Sequence, residues 1–212
     1  MGRRLPVFLL LDTSGSMRGE PIQAVNNGLQ VLISGLRQDP YALESVYISV
    51  ITFDIEAKEL FPLTPLDQVQ LPEITVPQAG ATFLGAALEL LVSRFDRDVI
   101  RTTDDMKGDW RPILFIMTDG SPSDIQAYRE AIPKIKHRNF GNVIACAAGP
   151  KAKYEMLKDL TDNVLCMDTM DSTGLSQLFK WVSASVAAGS SSAGASAPTT
   201  LPLPPPEIHI VI

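Results

Sequence analysis

The chain has 212 residues, 45% of them hydrophobic, which is enough to bury a sizeable core in one main domain. Its formal net charge of −6, from 18 Lys and Arg against 24 Asp and Glu, argues against a general nucleic-acid binder, which would carry a basic face or stripe. No apolar stretch approaches the length that spans a bilayer, so we expect no membrane-spanning segment.

Strand and helix patterns alternate from the start of the chain. A compact apolar run predicts a strand over residues 6 to 12, and apolar residues at helical spacing predict a helix over 21 to 37. Residues 46 to 53 and 57 to 61 follow as strands. The short connection between these two strands favours an antiparallel hairpin at a sheet edge, because a parallel return needs a long crossover.

The middle of the chain continues the alternation after a loop interrupted by proline. An amphipathic helix is predicted over residues 84 to 95 and a buried strand over 112 to 118, with a polar stretch between them. Residues 124 to 137 look helical, but Pro133 lies inside this segment. Because proline lacks a backbone donor, we expect it to kink or divide that helix.

The remaining elements are a strand over 142 to 148, a helix over 151 to 160, a strand over 163 to 167 and a helix over 172 to 188. Strands that alternate with helices predict a three-layer, Rossmann-like α/β fold. We expect a mainly parallel central sheet with one antiparallel edge strand and helices on both faces.

The composition changes after residue 186, and this divides the chain into a domain over 1–186 and two tail segments. Residues 187–206 read as a flexible Ala/Ser/Gly linker followed by a Pro-rich part. Residues 207–212 are strand-prone, with isoleucines that would be costly to expose. We consider two outcomes for this end: a strand that pairs with a sheet edge of its own chain or of a partner, or a disordered tail.

Two features bear on the cellular compartment. Cys146 and Cys166 each lie in an apolar strand-like segment, so we interpret them as reduced core thiols without a bridge. The apolar run after Arg3 and Arg4 is too short for a secretion signal and has no cleavage pattern. The sequence therefore predicts a cytoplasmic protein.

Oxygen-bearing side chains follow the first predicted strand. Asp12, Ser14 and Ser16 alternate at its end, and Gly15 gives the backbone room to turn between the two hydroxyls. Magnesium and manganese prefer oxygen ligands in octahedral geometry, and one carboxylate with two hydroxyls supplies part of such a shell.

Two later segments provide further oxygens. Thr82 lies at a loop-to-helix junction, and Asp119 ends the apolar run over 113 to 118. Both acids, Asp12 and Asp119, thus follow strands, and the carboxyl ends of parallel strands form the edge where ligands bind. Single residues of this kind often cap helices or turns, but these side chains together, with two buried acids that would repel each other, favour a cation site.

These three motifs, Asp12-Thr-Ser14-Gly-Ser16, Thr82 in Gly-Ala-Thr-Phe-Leu-Gly, and Thr118-Asp119-Gly120, closely resemble the metal-ion-dependent adhesion site (MIDAS) of von Willebrand factor type A (VWA) domains. The resemblance covers roughly residues 5 to 186. It implies the VWA version of the α/β fold and a divalent cation held by Asp12, Ser14, Ser16, Thr82 and Asp119.

The resemblance also implies roles for these residues. Ser14 and Ser16 would bind the metal through their hydroxyls, Thr82 directly or through water, and Asp12 and Asp119 largely through water. Magnesium is the expected ion, with manganese or calcium as alternatives. An Asp or Glu of a protein partner would fill the open position, since neutral ligands leave the cation electrophilic.

The opening segment, residues 3 to 17, is similar to the bacterial TerY-like proteins associated with tellurium resistance. This narrower resemblance implies a tellurite-resistance or stress signalling module that acts with a kinase and a phosphatase. By its position, the loop over 17 to 20 borders the proposed metal site and is a better candidate for a partner contact than Trp110. Trp110 either caps the core or anchors a partner.

Two other functions compete with the interaction module. A magnesium-dependent phosphohydrolase also places an Asp after an apolar strand, but it carries a second carboxylate two residues later, where this chain has Ser14. No Walker or Gly-x-Gly-x-x-Gly loop is present, and His137 and His209 are poorly placed for a catalytic triad. We therefore expect no enzyme. A scaffold with a purely structural metal is the third alternative.

Overall fold

The computed structural model describes residues 2–77, 80–149, 152–191 and 201–211. The strands are β1 (Leu5–Asp12), β2 (Val46–Phe53), β3 (Ala57–Pro65), β4 (Ile113–Thr118), β5 (Asn142–Ala148), β6 (Asn163–Met167) and β7 (His209–Ile210). The helices are α1 (Glu20–Arg37), α2 (Pro40–Ser45), α3 (Leu84–Asp98), α4 (Ile125–His137), α5 (Glu155–Lys158) and α6 (Ser172–Ser191). Short 3₁₀ turns cover Gly15–Met17 and Leu66–Gln68.

The strands form one mixed sheet in the order β3-β2-β1-β4-β5-β6-β7. β1 pairs in parallel with β2 and with β4, and β4, β5 and β6 continue in parallel. β3 pairs antiparallel with β2, which confirms the predicted edge hairpin. β7 pairs antiparallel with β6 and so forms the second edge.

Helices cover both faces of the sheet, as predicted. Alternate residues of β1 point to opposite faces, so Leu9 packs on the side of α1, α2 and α6, while Leu10 packs on the side of α3, α4 and α5. The central strands are buried along their whole length, which explains why they read as continuous apolar runs rather than alternating ones.

Most element boundaries follow the sequence pattern, with a few differences. β3 runs on to Pro65 rather than ending at residue 61. α5 is a single turn, shorter than the predicted helix over 151 to 160, and residues 150 and 151 lie outside the described ranges. α4 is one helix, so the expected division at Pro133 is wrong. Pro133 is exposed, and so is Arg129, the residue whose carbonyl would normally accept from an N–H at position 133.

The C-terminal residues fold back onto the body. α6 continues to Ser191, past the predicted end at 188, and residues 192–200 of the predicted linker lie outside the described ranges. Beyond them, the indole N–H of Trp181 donates to the carbonyl of Pro202 (3.0 Å), and Ile208 is buried in the core. Val211 N donates to Val164 O (2.9 Å). The terminal strand thus pairs with its own chain, which confirms the first of the two outcomes considered.

The structure also bears on the two cysteines and on the expected absence of a membrane-spanning segment. Cys146 and Cys166 are free thiols, the first buried and the second partly exposed. Within the described part of the chain, none of the helices combines the length and the apolar character that crossing a bilayer requires.

Candidate metal site

The strand order places the candidate residues at one point of the sheet. The chain proceeds from β1 to β2 on one side and later returns to β4 on the other side, so β1 and β4 are neighbours at the switch point. In open α/β sheets, the loops that leave the carboxyl ends of two such strands diverge, and ligands bind between them. Asp12 ends β1, and Asp119 directly follows β4.

The first motif folds as a tight turn around the Asp12 carboxylate. Asp12 is fully buried, and its Oδ1 accepts a hydrogen bond from the backbone N–H of Ser14 (2.7 Å). The Oγ atoms of Ser14 and Ser16 lie 3.2 Å apart. Ser14 is buried while Ser16 is exposed, so the pair of hydroxyls leads from the interior to the surface.

Thr82 reaches the same end of the sheet from the loop before α3. It is buried, and a β-carbon at Gly120 would lie 3.3 Å from its Oγ1. The Thr82 backbone is tied to the loop after β4, because Ser123 N donates to Thr82 O (2.8 Å) and Thr82 N donates to Ser123 Oγ (3.2 Å). The loop that carries Thr82 and the loop that carries Asp119 therefore lie side by side.

Electrostatics at this point favour a positive charge. Burial raises the pKa of Asp12 from 3.8 to about 6 because the carboxylate loses hydration; hydrogen bonds from Thr118 and Ser14 oppose the rise, and the nearby charge of Asp119 adds to it. Asp119 Oδ1 is buried and has no hydrogen-bond partner among the described residues. Buried carboxylate oxygens without a partner are costly, so they mark a position where a cation would be stabilised.

Two residues that support the site were missed by sequence reasoning. The Oγ1 of Thr118 donates to Asp12 Oδ2 (2.6 Å) and so links β4 to β1. The Asp124 carboxylate accepts from the N–H groups of Gly85 (3.0 Å) and Ala86 (2.8 Å), in the first turn of α3. The signal for Thr118 was present as a hydroxyl beside Asp119, whereas Asp124 caps a helix that is remote in sequence, and no local pattern reveals such a contact.

The residues present fit a hard divalent cation. Hydroxyl and carboxylate oxygens are the ligands that Mg²⁺, Mn²⁺ and Ca²⁺ prefer, and the Asp119 oxygen without a hydrogen-bond partner belongs to a side chain whose charge acts on the buried Asp12 carboxylate. No group of three or more His, Cys, Asp and Glu suited to a metal occurs among the described residues. The candidate set is of another kind, because three of its five residues contribute hydroxyl groups.

The sequence profile of the von Willebrand factor type A domain matches residues 7–180, which include all of the candidate residues. The chain belongs to the VWA domain family. VWA domains are generally protein interaction modules. No protein in the curated collection of characterised sequences matches this chain.

Solved structures share this VWA fold at low sequence identity. The proximal thread matrix protein 1 of the mussel byssus superposes with a TM-score of 0.66 at 20% identity, over 85% of this chain and 47% of that one. One structure of that mussel protein, at 19% identity and a TM-score of 0.64, has a zinc-occupied MIDAS motif.

Two bacterial structures also match. A von Willebrand factor type A protein from Catenulispora acidiphila has a TM-score of 0.66 at 16% identity, over 89% of this chain and 44% of that one. The pilus adhesin SpaC of Lactobacillus rhamnosus GG, in its open conformation, has a TM-score of 0.67 at 13% identity, over 89% and 30%. The present chain thus spans less than half of the length of each of these relatives.

Proposed function

We propose that this VWA domain is a metal-dependent protein interaction module of the MIDAS type. Ser14 and Ser16 would hold a divalent cation through their hydroxyls, Thr82 directly or through water, and Asp12 and Asp119 largely through water. The observation that carries the proposal is the buried Asp119 oxygen without a hydrogen-bond partner among the described residues, close enough for its charge to act on the buried Asp12 carboxylate. A bound cation would remove the cost of both.

The partner is proposed to supply an Asp or Glu side chain to the cation. Ser16 is exposed, so an incoming carboxylate can approach from solvent. Hydroxyl ligands do not neutralise the charge of the ion, and the two acids act mainly through water, so the ion stays attractive to a further carboxylate. Magnesium is the proposed ion, with manganese or calcium as alternatives.

Metal binding is tested by unfolding the protein in urea with Mg²⁺ and with EDTA. At a Mg²⁺ concentration one hundred times its Kd, the free energy of unfolding should rise by about 2.7 kcal/mol. Ser14→Ala removes one hydroxyl ligand and should remove most of this gain. Ser93→Ala changes an exposed serine of α3 and should keep it. An equal gain in all three proteins would contradict the proposed ligand set.

Partner binding separates the interaction module from its alternatives. Capture of an acidic partner that EDTA abolishes supports the module. If EDTA lowers thermal stability while partner capture is unchanged, the metal is structural. Turnover of p-nitrophenyl phosphate that Asp12→Asn abolishes would make the protein a phosphohydrolase instead.

A narrower proposal concerns the biological setting. The similarity of residues 3 to 17 to TerY-like proteins supports a role in bacterial tellurite resistance or stress signalling, in the cytoplasm, with a kinase or phosphatase as partner. Deletion of the gene should then raise sensitivity to tellurite, with rescue by the wild-type gene but not by Ser14→Ala. Unchanged sensitivity would exclude this setting and leave the interaction module untouched.

A further inference from the structure

An exposed isoleucine stands at the turn between β2 and β3. Ile55 is 56% exposed. The turn around it is rigid, because Asp54 Oδ1 accepts from Glu56 N (3.0 Å) and Asp54 N donates to Glu56 O (3.0 Å). Tight turns favour Gly, Asn and Asp at their tips, so a β-branched apolar residue there serves neither the turn nor the core.

This isoleucine borders the candidate site. A β-carbon at Gly80 would lie 3.2 Å from Cγ2 of Ile55, so the two residues are in close contact. Gly80 O is 3.5 Å from the N–H of Gly15, which lies between the two site serines, and Phe83 N donates to Asp54 O (2.8 Å). Ile55 therefore lies against the same short segment that presents Thr82.

A positive charge contacts the loop that precedes Thr82. Arg18 is exposed, and its Nη2 donates to the carbonyl of Pro77 (2.9 Å), three residues before Gly80. An arginine held in this way favours an anionic ligand nearby. The rim of the site thus offers one apolar contact and one cationic contact next to the exposed hydroxyl of Ser16.

We propose that this rim selects a partner segment in which the metal-binding acidic residue is flanked by a large apolar side chain. Ile55 packs against the apolar side chain, and Arg18 adds to the preference for a negatively charged segment. The inference rests on the proposed function, since the acidic residue is placed by the cation. It goes further by assigning specificity to residues outside the ligand set.

The test uses two capped peptides, Ac-Gly-Leu-Glu-Leu-Gly-NH₂ and Ac-Gly-Ser-Glu-Ser-Gly-NH₂, titrated into the isotope-labelled protein in Mg²⁺ and followed by NMR shifts. Leucine on both sides of the acid makes the test independent of chain direction. We expect the leucine peptide to bind about five-fold more tightly, as partial burial of one apolar side chain allows.

Ile55→Ser should bring the ratio of the two affinities close to one. The matched control is Ile100→Ser, another exposed isoleucine, which lies near the opposite end of the sheet and should keep the ratio. Calorimetry should give the same Mg²⁺ affinity for all three proteins, which shows that the ligand set is intact.

Two failures are distinguishable. If both glutamate peptides bind in Mg²⁺ but not in EDTA, and wild type and Ile55→Ser treat them alike, the rim inference is wrong while the proposed function stands. If neither peptide binds in a way that depends on Mg²⁺, or a glutamine version binds equally well, the proposed function fails and the rim inference fails with it.

Discussion

Two buried aspartates lie at opposite ends of the same sheet, and their surroundings differ. At the amino end, the Asp109 side chain is 3% exposed and accepts from Arg4 Nε (2.8 Å), Arg4 Nη2 (2.6 Å) and Ile100 N (2.8 Å). The hydrogen bond to Asp109 raises the pKa of the Arg4 side chain. At the carboxyl end, Asp12 is fully buried, and its hydrogen-bond donors among the described residues, Ser14 and Thr118, are neutral.

The two buried carboxylates, Asp109 and Asp12, thus differ in the charge of their hydrogen-bond partners. At the amino end, the counter-charge is a side chain of the protein itself, Arg4. The neighbouring Arg3 stacks on Trp110 at 3.6 Å and donates to Gly108 O (2.7 Å). Trp110 thus packs against the core beneath an arginine. At the carboxyl end, the proposed function supplies the counter-charge as a bound cation.

The largest expected effect is at the amino end. Asp109→Ala leaves the Arg4 guanidinium without its carboxylate and should lower the free energy of unfolding by about 4 kcal/mol, because breaking a buried ion pair leaves an uncompensated charge. Urea unfolding should give the same loss in Mg²⁺ and in EDTA. Asp104→Ala, at an exposed position of the same segment, should change the stability by less than about 0.5 kcal/mol. A loss that depends on Mg²⁺ would break the contrast between the two ends.

The next effect is at the carboxyl end and depends on pH. In EDTA, the raised pKa of Asp12 means that the folded protein keeps a proton between pH 4 and pH 6 that the unfolded chain has released. The contribution of Asp12 to stability therefore falls as the pH rises through this range. Asp12→Asn has no such loss, so it should become more stable than wild type by on the order of 3 kcal/mol above pH 6.

Urea unfolding from pH 4 to pH 7.5 in EDTA checks this prediction, with the difference between the two proteins as the readout. Saturating Mg²⁺ should reverse the order, because the asparagine variant loses the anionic group that favours the ion. A difference that stays flat across pH 4 to 6 would show that Asp12 is not destabilised by burial.

The smallest expected loss of stability comes from removing a single threonine hydroxyl at either end of the sheet. Thr118→Val keeps the shape of the side chain but removes the buried hydrogen bond to Asp12, so it should cost about 1.5 kcal/mol in EDTA. Its amino-end counterpart is Thr102→Val, which removes from an exposed threonine the acceptor of a part-buried hydrogen bond from Gly108 N and should cost about 0.5 kcal/mol. Equal losses would mean that the Thr118 hydroxyl stabilises Asp12 no more than the Thr102 hydroxyl stabilises Gly108.

Sequence patterns predicted the elements whose signal lies within a short stretch of the chain, such as a run of apolar residues. β2 and β5 have the predicted bounds because continuous apolar runs of that length suit buried parallel strands. Asp12 and Asp119 were found because each directly follows such a run, and the topology brings the ends of β1 and β4 together. The assignment of metal ligands stays a prediction.

Contacts between remote segments were not predictable in the same way. The Asp124 side chain caps α3, and Arg4 pairs with Asp109, although each pair is far apart in sequence. The undivided α4 shows a different limit: the cost of Pro133 depends on where its missing hydrogen bond faces, and a periodicity argument does not contain that information.

The contacts between the loop that carries Thr82 and the loop that carries Asp119 also limit how these segments can move. Ser123 clamps the Thr82 backbone, Asp124 holds the first turn of α3, and a β-carbon at Gly85 would lie 2.3 Å from the backbone of Tyr128 in α4. The two loops and the first turns of both helices are therefore in direct contact. A displacement of either loop would move the first turns of α3 and α4 with it.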